Sequence, residues 1–433
     1  MIPIYPVGSK AAASDKPSGS ADSSQQVGSQ QVSSAKAQFL QPGRLHLASL
    51  PPLSLYIHFP WCVRKCPYCD FNSHQIDAKT ASSVDGFPEQ DYLNALRTDL
   101  ELALPQIWGR KIYTIFIGGG TPSLLSMQGM DQLLSMVRSL LPLDGAAEIT
   151  MEANPGTFEA EKFKSYRASG INRLSIGIQS FNDTHLQALG RIHDGAQARS
   201  AVAQARQHFD NLNLDLMYAL PQQTLAQAEL DLRTAIDLSP THLSLYHLTL
   251  EPNTVFAKYP PALPDDDLSA QMQDALVSQA AAAGYVQYEV SAYAQAGRQA
   301  RHNLNYWQFG DYLGIGAGAH SKLSFPERIV RQERYKQPKS YMEQCLRGTP
   351  VSEQHEIPHD ELGFEFMLNA LRLMEGVPVG LFAERTGSNI VTIQAALQQA
   401  EQRGLLQRDH QHMRATPLGQ RFLNDLQQIF LPD

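Results

Sequence analysis

Cys62-Val63-Arg64-Lys65-Cys66-Pro67-Tyr68-Cys69 carries three of the four cysteines in this chain of 433 residues, the fourth being Cys345. A C-x3-C-x2-C run supplies three thiolates from one short loop. A [4Fe–4S] cube usually takes four cysteines, so three ligands leave one iron open to bind and activate a small molecule. Two plainer readings stand beside this one. His74 follows Cys69 after four residues, and C-x3-C-x2-C-x4-H could close a tetrahedral zinc site. The thiols could also be inert and buried. Three closely spaced cysteines in so long a chain do not make a disulfide framework. The scarcity of others points to a reducing compartment.

Composition narrows the class. The chain is long enough for one large barrel with appendages, and its 43% hydrophobic content can build a core. A net charge of −8 and a pI near 6.0 argue against a general nucleic-acid binder, which would carry a basic patch. No apolar run approaches the roughly 18 residues of a membrane span. The N-terminus shows no basic segment followed by an apolar one, and its first arginine is Arg44, so no secretion or import signal is expected. The chain reads as cytoplasmic. Residues 1–50 form a Ser-, Ala-, Gln- and Gly-rich extension that cannot bury enough apolar surface to offset its ordering entropy. Order is expected from about Pro51.

From there β-rich runs alternate with helical spacing. Strands are expected at Leu53–Phe59, Tyr113–Ile117, Ala147–Glu152, Arg173–Ile178, Leu212–Tyr218 and His242–Leu248. Helices fall between them, as at Tyr92–Leu104 and Met130–Leu140. Such alternation argues for a parallel sheet covered by helices. Six units suit an α/β partial (β/α)6 barrel over residues 51–349, a flat doubly wound sheet being the competing architecture.

In a parallel barrel the chemistry gathers at the C-terminal strand ends. The cysteine loop follows strand one, and strand two runs into Gly118-Gly119-Gly120-Thr121-Pro122. Strand three ends at Glu152 in Glu-Ala-Asn-Pro-Gly, Gln179 and Ser180 close strand four, Asp215 lies within strand five, and strand six leads to Thr249 and Glu251. Glycines at a strand end are most often only a turn. Here the missing side chains would also let backbone carbonyls approach a ligand's ammonium group. The run is no phosphate loop, lacking G-x-x-x-x-G-K-[ST]. Glu152 taken alone reads as a capping or surface carboxylate. Asp215, inside an apolar strand, must have a partner.

With these residues assembled, the chain resembles radical S-adenosylmethionine (SAM) proteins of the coproporphyrinogen oxidase-like group. The matching runs are Leu55-Tyr56-Ile57-His58-Phe59-Pro60-Trp61-Cys62, Gly118 to Pro122, Gly177-Ile178-Gln179-Ser180-Phe181 and Asp215-Leu216-Met217-Tyr218-Ala219-Leu220-Pro221. The likeness spans about residues 52–433. It implies that Cys62, Cys66 and Cys69 hold a [4Fe–4S] cluster and that the Tyr68 backbone contacts SAM. Gly118, Gly119, Gly120 and Thr121 would face the methionine end. Glu152, Gln179, Arg191 and Asp215 would line the rest of SAM, and Tyr56 would stand near the cluster. Arg191 suits a carboxylate, and Asp215 can accept hydrogen bonds from ribose hydroxyls.

Two branches of the group must be separated. One is an oxygen-independent coproporphyrinogen III oxidase, which turns two propionates into vinyl groups by radical chemistry. The other is a haem chaperone that hands haem to acceptor apo-proteins such as respiratory haem proteins, with membrane contact only through the acceptor. The oxidase carries a further cysteine two residues after the triplet, where this chain has Phe71. It also has an ordered N-terminal segment where this chain has the low-complexity extension. His302-Asn303-Leu304-Asn305-Tyr306-Trp307 matches the HNxxYW motif that the resemblance links to haem. His302 is the expected ligand, with Asn303, Tyr306 and Trp307 beside it, because imidazole is a common axial ligand and the aromatic rings offer flat surfaces. The plainer reading is a packed, hydrogen-bonded loop. His58, His193 and His247 lie near the expected rim and could compete.

The sequence therefore favours the chaperone branch, with cluster, SAM and haem as ligands, and assigns no catalytic residue. The glycine-rich run Tyr312–Ser321 permits close backbone packing against a ligand or the barrel end. Residues 350–433 read as a winged-helix-like domain with helices Glu361–Leu373, Pro378–Thr386 and Ile390–Arg403, serving as a lid or docking surface. With no dense basic stripe there, DNA is not the expected partner. Cys345 reads as a small buried hydrophobe.

Overall fold

The structure is a computed structural model that describes residues 45–76 and 86–432, with the backbone only in 157–161. The extension expected over residues 1–50 therefore lies outside the described residues as far as Arg44. Its last residues are described, and they pack: Leu45 and Leu47 are buried in the C-terminal core. Order thus starts before Pro51, because two leucines at alternate positions find an apolar surface that windowed composition does not register.

Twelve strands form one sheet: β1 Leu53–Phe59, β2 Ile112–Gly119, β3 Leu143–Ala153, β4 Arg173–Gln179, β5 Leu212–Tyr218, β6 His242–His247, β7 Val286–Glu289, β8 Ala292–Ala294, β9 Asp311–Ile315, β10 His320–Phe325, β11 Arg328–Arg334 and β12 Val351–Glu356. Strands β1 to β6 lie side by side in chain order and all parallel. That is the expected six-fold half-barrel, with helices such as Glu89–Ala103 and Met127–Leu140 in the crossovers. The remaining strands extend both flanks. β9 runs parallel to β1 and leads antiparallel through β10 and β11 to β12, while β8 and β7 pair antiparallel beyond β6.

Every residue of β1 is buried. Leu53, Leu55, Ile57 and Phe59 enter the main core. Side chains alternate along a strand, so Ser54, Tyr56 and His58 point the other way, into the barrel. The same alternation sends Thr150 and Glu152 of β3 inward, level with Arg173 and Ser175 of β4. The barrel interior is therefore polar while its outer face is aliphatic.

Strand β12 corrects the domain boundary expected at 350. Val351–Glu356 pairs with β11 and belongs to the large sheet, so the second domain begins at about Ile357. The strand is polar and largely exposed, and so shows no apolar period in sequence. Beyond it come helices Leu362–Ala370, Val379–Thr386 and Gln394–Gln402, with a three-stranded antiparallel sheet of Val377–Pro378, Leu406–Arg408 and His412–Ala415. This is the helix–strand–helix–helix–hairpin order of a winged helix. Phe366, Phe382, Leu397 and Leu426 fill its core. Arg372 of this domain lies 4.3 Å over the Trp307 ring and pairs with Glu289 at 3.3 Å, tying it to the barrel.

Candidate functional site: a cysteine loop over a polar barrel

The loop after β1 is closed at its base. Trp61 and Cys62 pair in parallel with His74 and Gln75, so the ends of the loop lie side by side. Lys65 Nζ donates to the Phe71 and Ser73 carbonyls at 3.2 and 3.1 Å, and Cys69 N–H donates to the Cys66 carbonyl at 3.2 Å. Cys62, Cys66 and Cys69 are free and half-buried. Arg191 Nη1 lies 3.7 Å from Cys66 Sγ, and Ser73 Oγ lies 3.6 Å from Cys69 Sγ. Burial pushes the Cys62 thiol up to about 11 and raises Cys69 as well. Thiols so placed become ligands by binding metal, which displaces the proton.

Three thiols on one loop with a guanidinium beside one of them fit an anionic iron–sulfur cluster with an open iron. The zinc alternative fits less well. His74 Nε2 turns to Asn72 Oδ1 at 3.2 Å.

The glycine run at the end of β2 passes directly under this loop. Gly120 N–H donates to the Phe59 carbonyl at 2.6 Å and Thr121 N–H to the Trp61 carbonyl at 2.7 Å. A Cβ on Gly120 would press into the Trp61 carbonyl, so only glycine allows that approach. Gly119 N–H donates to Glu152 Oε2 at 3.0 Å, and a Cβ on Gly118 would come within 2.9 Å of the same oxygen. Glu152 is thus neither a helix cap nor a surface group. It faces the rim, and burial raises its pKa.

Asn154, two residues further on, joins this group. It donates to Thr121 Oγ1 at 3.0 Å and accepts from Arg191 Nη2 at 2.7 Å. Arg191 Nη2 also reaches the Gly177 carbonyl at 2.8 Å, while Arg191 Nε is buried with no protein acceptor. Gln179, with φ +68°, closes around the same glycine.

Asp215 has the partners its strand demands. Ser175 Oγ donates to it at 2.9 Å, and Asn213 Nδ2 donates to its other oxygen at 2.9 Å. Asn213 in turn meets His242 Nδ1 at 2.6 Å, and His242 Nε2 meets Tyr288 Oη at 2.8 Å. Tyr56 Oη bonds His58 Nδ1 at 2.9 Å within the barrel, and Tyr68 packs against Phe256 at the rim. The structure thus gathers Cys62, Cys66, Cys69, Tyr68, Gly118 to Thr121, Glu152, Gln179 and Arg191 at one rim, with Tyr56 and Asp215 just inside.

Sequence reasoning missed Asn154, Ser73, Ser175 and Asn213. Asn154 was within reach, since it lies in the same Glu-Ala-Asn-Pro-Gly run as Glu152. The glycine-rich run after Tyr312 packs against the barrel end. Gly316, at φ +103°, leaves its N–H to Asp99 and Tyr341, and the Ala317 carbonyl accepts from Asn72 of the cysteine loop at 2.9 Å. Cys345 is buried, as expected of a small hydrophobe.

The expected haem motif lies elsewhere, away from the rim. Arg301–Trp307 is a helix that closes the other end of the barrel. His302 is 1% exposed. Its Nδ1 meets Thr114 Oγ1 at 2.8 Å and its Nε2 meets Tyr306 Oη at 3.0 Å. Both ring nitrogens are thus engaged by protein hydroxyls, and burial pushes the imidazole pKa down to about 3. Trp307 turns away into the C-terminal core, Tyr306 meets Tyr312 edge-to-face with ring centres 4.6 Å apart, and Asn303 is half-buried on the same helix. Of the competing histidines, His58 and His193 are buried against protein acceptors, while His247 is exposed at the end of β6.

Residues 56–235 match the radical SAM superfamily and residues 357–422 match the HemN C-terminal domain. A heme chaperone HemW from Haemophilus influenzae is 48% identical over 89% of this chain and all of its own length. The Escherichia coli protein of that name is 47% identical, again over 89% of this chain and its full length. The Bacillus subtilis one is 35% identical over 87% of this chain and 99% of its own. Among solved structures, a coproporphyrinogen III oxidase (HemN) from Escherichia coli superposes with a TM-score of 0.74. It covers 88% of this chain and 90% of that one at 22% identity, which establishes a common fold. The family implies a [4Fe–4S] cluster and SAM, and the cysteine loop and glycine cradle fit them. Full-length relatives at up to 48% identity and the shared two-domain fold agree: the chain belongs to the HemN-like radical SAM family, among the relatives called heme chaperone HemW.

Proposed function

We propose that this protein is a haem chaperone that binds a [4Fe–4S] cluster and SAM at the rim of its barrel and carries haem to acceptor apo-proteins of respiration. The observation that carries the reading is full-length identity of 47–48% to relatives named for that role, against 22% to the oxidase whose fold it shares. The local sequence agrees, since Phe71 stands where the oxidase is expected to carry its additional cysteine.

A cluster held by Cys62, Cys66 and Cys69 would offer an open iron as the Lewis-acid site for SAM. The chain's own part is to orient. Cys62, Cys66 and Cys69 would hold the cluster, and the Arg191 guanidinium offsets the charge beside Cys66. Gly118 to Thr121 give a flat backbone surface, and Asp215, held by Ser175 and Asn213, presents acceptor capacity to ribose hydroxyls. Haem enters this reading from the relatives, not from the helix Arg301–Trp307, whose histidine is already engaged.

The second reading is an active coproporphyrinogen III oxidase, favoured by the shared fold alone. An anaerobic assay separates the two. Protein of verified iron and sulfide content receives SAM, a strong reductant and coproporphyrinogen III, and protoporphyrinogen and 5′-deoxyadenosine are quantified. No porphyrin product from an intact cluster is expected, together with tight binding of added haem. Multiple turnovers to protoporphyrinogen would overturn the chaperone reading.

A further inference from the structure

Arg173, the first residue of β4, points into the barrel beside Thr150 of β3, its partner in register. Its side chain is 2% exposed, and its guanidinium makes no hydrogen bond or ion pair to any described residue. Other arginines here have a buried Nε without a partner, yet Arg191, Arg331 and Arg372 each spend at least one terminal nitrogen on a protein acceptor, and Arg385 is only half-buried. Thr150 Oγ1 is also buried and unpartnered. Two adjacent donors are thus left facing the same interior.

The nearby carboxylates do not answer them. Glu148 accepts from His302 N–H at 3.2 Å, and Glu289 is held by Ser291 and Arg372. His302, His242 and Tyr288 feel the Arg173 charge and are all uncharged groups. A buried cation without a counter-charge is costly and persists where something else supplies the anion. Arg173 stands two residues below Ser175, which is level with Glu152, and four below Gly177, which is level with Asp215, so the donors lie about 6–7 Å deeper than Glu152 and about 13 Å deeper than Asp215 along the strands. A planar guanidinium with a hydroxyl beside it matches a carboxylate.

We infer that Arg173 and Thr150 form an internal carboxylate subsite below the SAM site, and that it takes a propionate of the bound tetrapyrrole. The propionate assignment rests on the haem reading above. The SAM carboxylate is the other source of the same chemistry, and the test separates them.

Haem and haem dimethyl ester are titrated into the cluster-loaded full-length protein and its Arg173→Met, Arg173→Lys and Thr150→Val variants, followed by the Soret band. SAM affinity and apo-protein melting are measured alongside. Loss of a charge-assisted pair is worth roughly ten- to hundredfold in affinity. Arg173→Met is expected to weaken haem by that factor, Arg173→Lys by less, and Thr150→Val by several-fold. The dimethyl ester should bind all four proteins alike, SAM affinity should not move, and apo Arg173→Met should melt no lower than the parent. Parent protein that binds no haem overturns the functional reading, and the propionate with it. Haem binding that ignores both esterification and Arg173→Met overturns the subsite alone. A shift confined to SAM reassigns the carboxylate and overturns the propionate, and a strongly destabilised apo Arg173→Met makes the arginine a structural residue.

Discussion

At the rim of the barrel, several polar groups keep hydrogen-bonding capacity that the protein does not use. Arg191 keeps a buried Nε without an acceptor, Asp215 is held from below by Ser175 and Asn213, and Gly120 is bare beside the Trp61 carbonyl. At the floor, the helix Arg301–Trp307 spends its polar groups on the protein. His302 uses both nitrogens, and Asn305 Nδ2 donates to Ser54 Oγ and the Asp311 carbonyl at 2.9 and 2.8 Å. Both regions carry recognisable motifs. The difference teaches that a motif marks a ligand site only where the fold leaves its polar atoms unanswered; where they are satisfied, it marks a joint between elements.

The largest effect that could break this contrast is at the cysteine loop. Cys66→Ser should abolish the iron and sulfide content and the visible absorbance of the cluster while leaving far-ultraviolet circular dichroism unchanged. Retention of a full cluster would mean that another group ligates, and the rim would lose its special status.

A smaller effect is expected at the floor. His302→Ala removes a packed ring and two hydrogen bonds, which should cost roughly 2–4 kcal/mol in unfolding free energy. Cluster absorbance should be unchanged, and haem affinity of the folded fraction should be unchanged too. Loss of haem with an intact cluster in a folded His302→Ala protein would restore the motif as a haem site and erase the contrast.

The finest test uses pH. His302 is held neutral, with its folded pKa near 3 against the ordinary 6.5. Its protonation is therefore favoured in the unfolded chain, so its contribution is complete above pH 6.5 and is lost as pH falls towards 3. Between pH 6 and 4 the parent should lose about 1.4 kcal/mol per pH unit more than His302→Ala, one proton's worth of slope, read from urea midpoints. Equal slopes would show that the imidazole is not buried as described.

Much of the rim was legible because its parts follow the parallel strands. Each of the six strand ends is a local event in sequence: an apolar run, then glycine, carboxylate or amide. Parallel pairing in chain order brings those ends together without further information. The antiparallel flank was harder. Strands such as Ala292–Ala294 are short, and Val351–Glu356 is polar and exposed, so neither shows an apolar period. That is why the second domain was placed at 350 and not at about 357. Leu45 and Leu47 escaped notice for the opposite reason, being two apolar residues at the end of a polar stretch.

The sequence by itself determined the cysteine spacing, the alternation that makes the barrel polar inside, and the family. These are properties of neighbouring residues, set by covalent order and the two-residue period of a strand. Only the tertiary structure decided which polar atoms are answered. His302 is satisfied by Thr114, 188 residues away in the chain, and Arg173 is satisfied by nothing that the structure describes. Burial and hydrogen bonding depend on what every other element places nearby, and so the same kind of side chain becomes a strut at one depth of the barrel and an open donor at another.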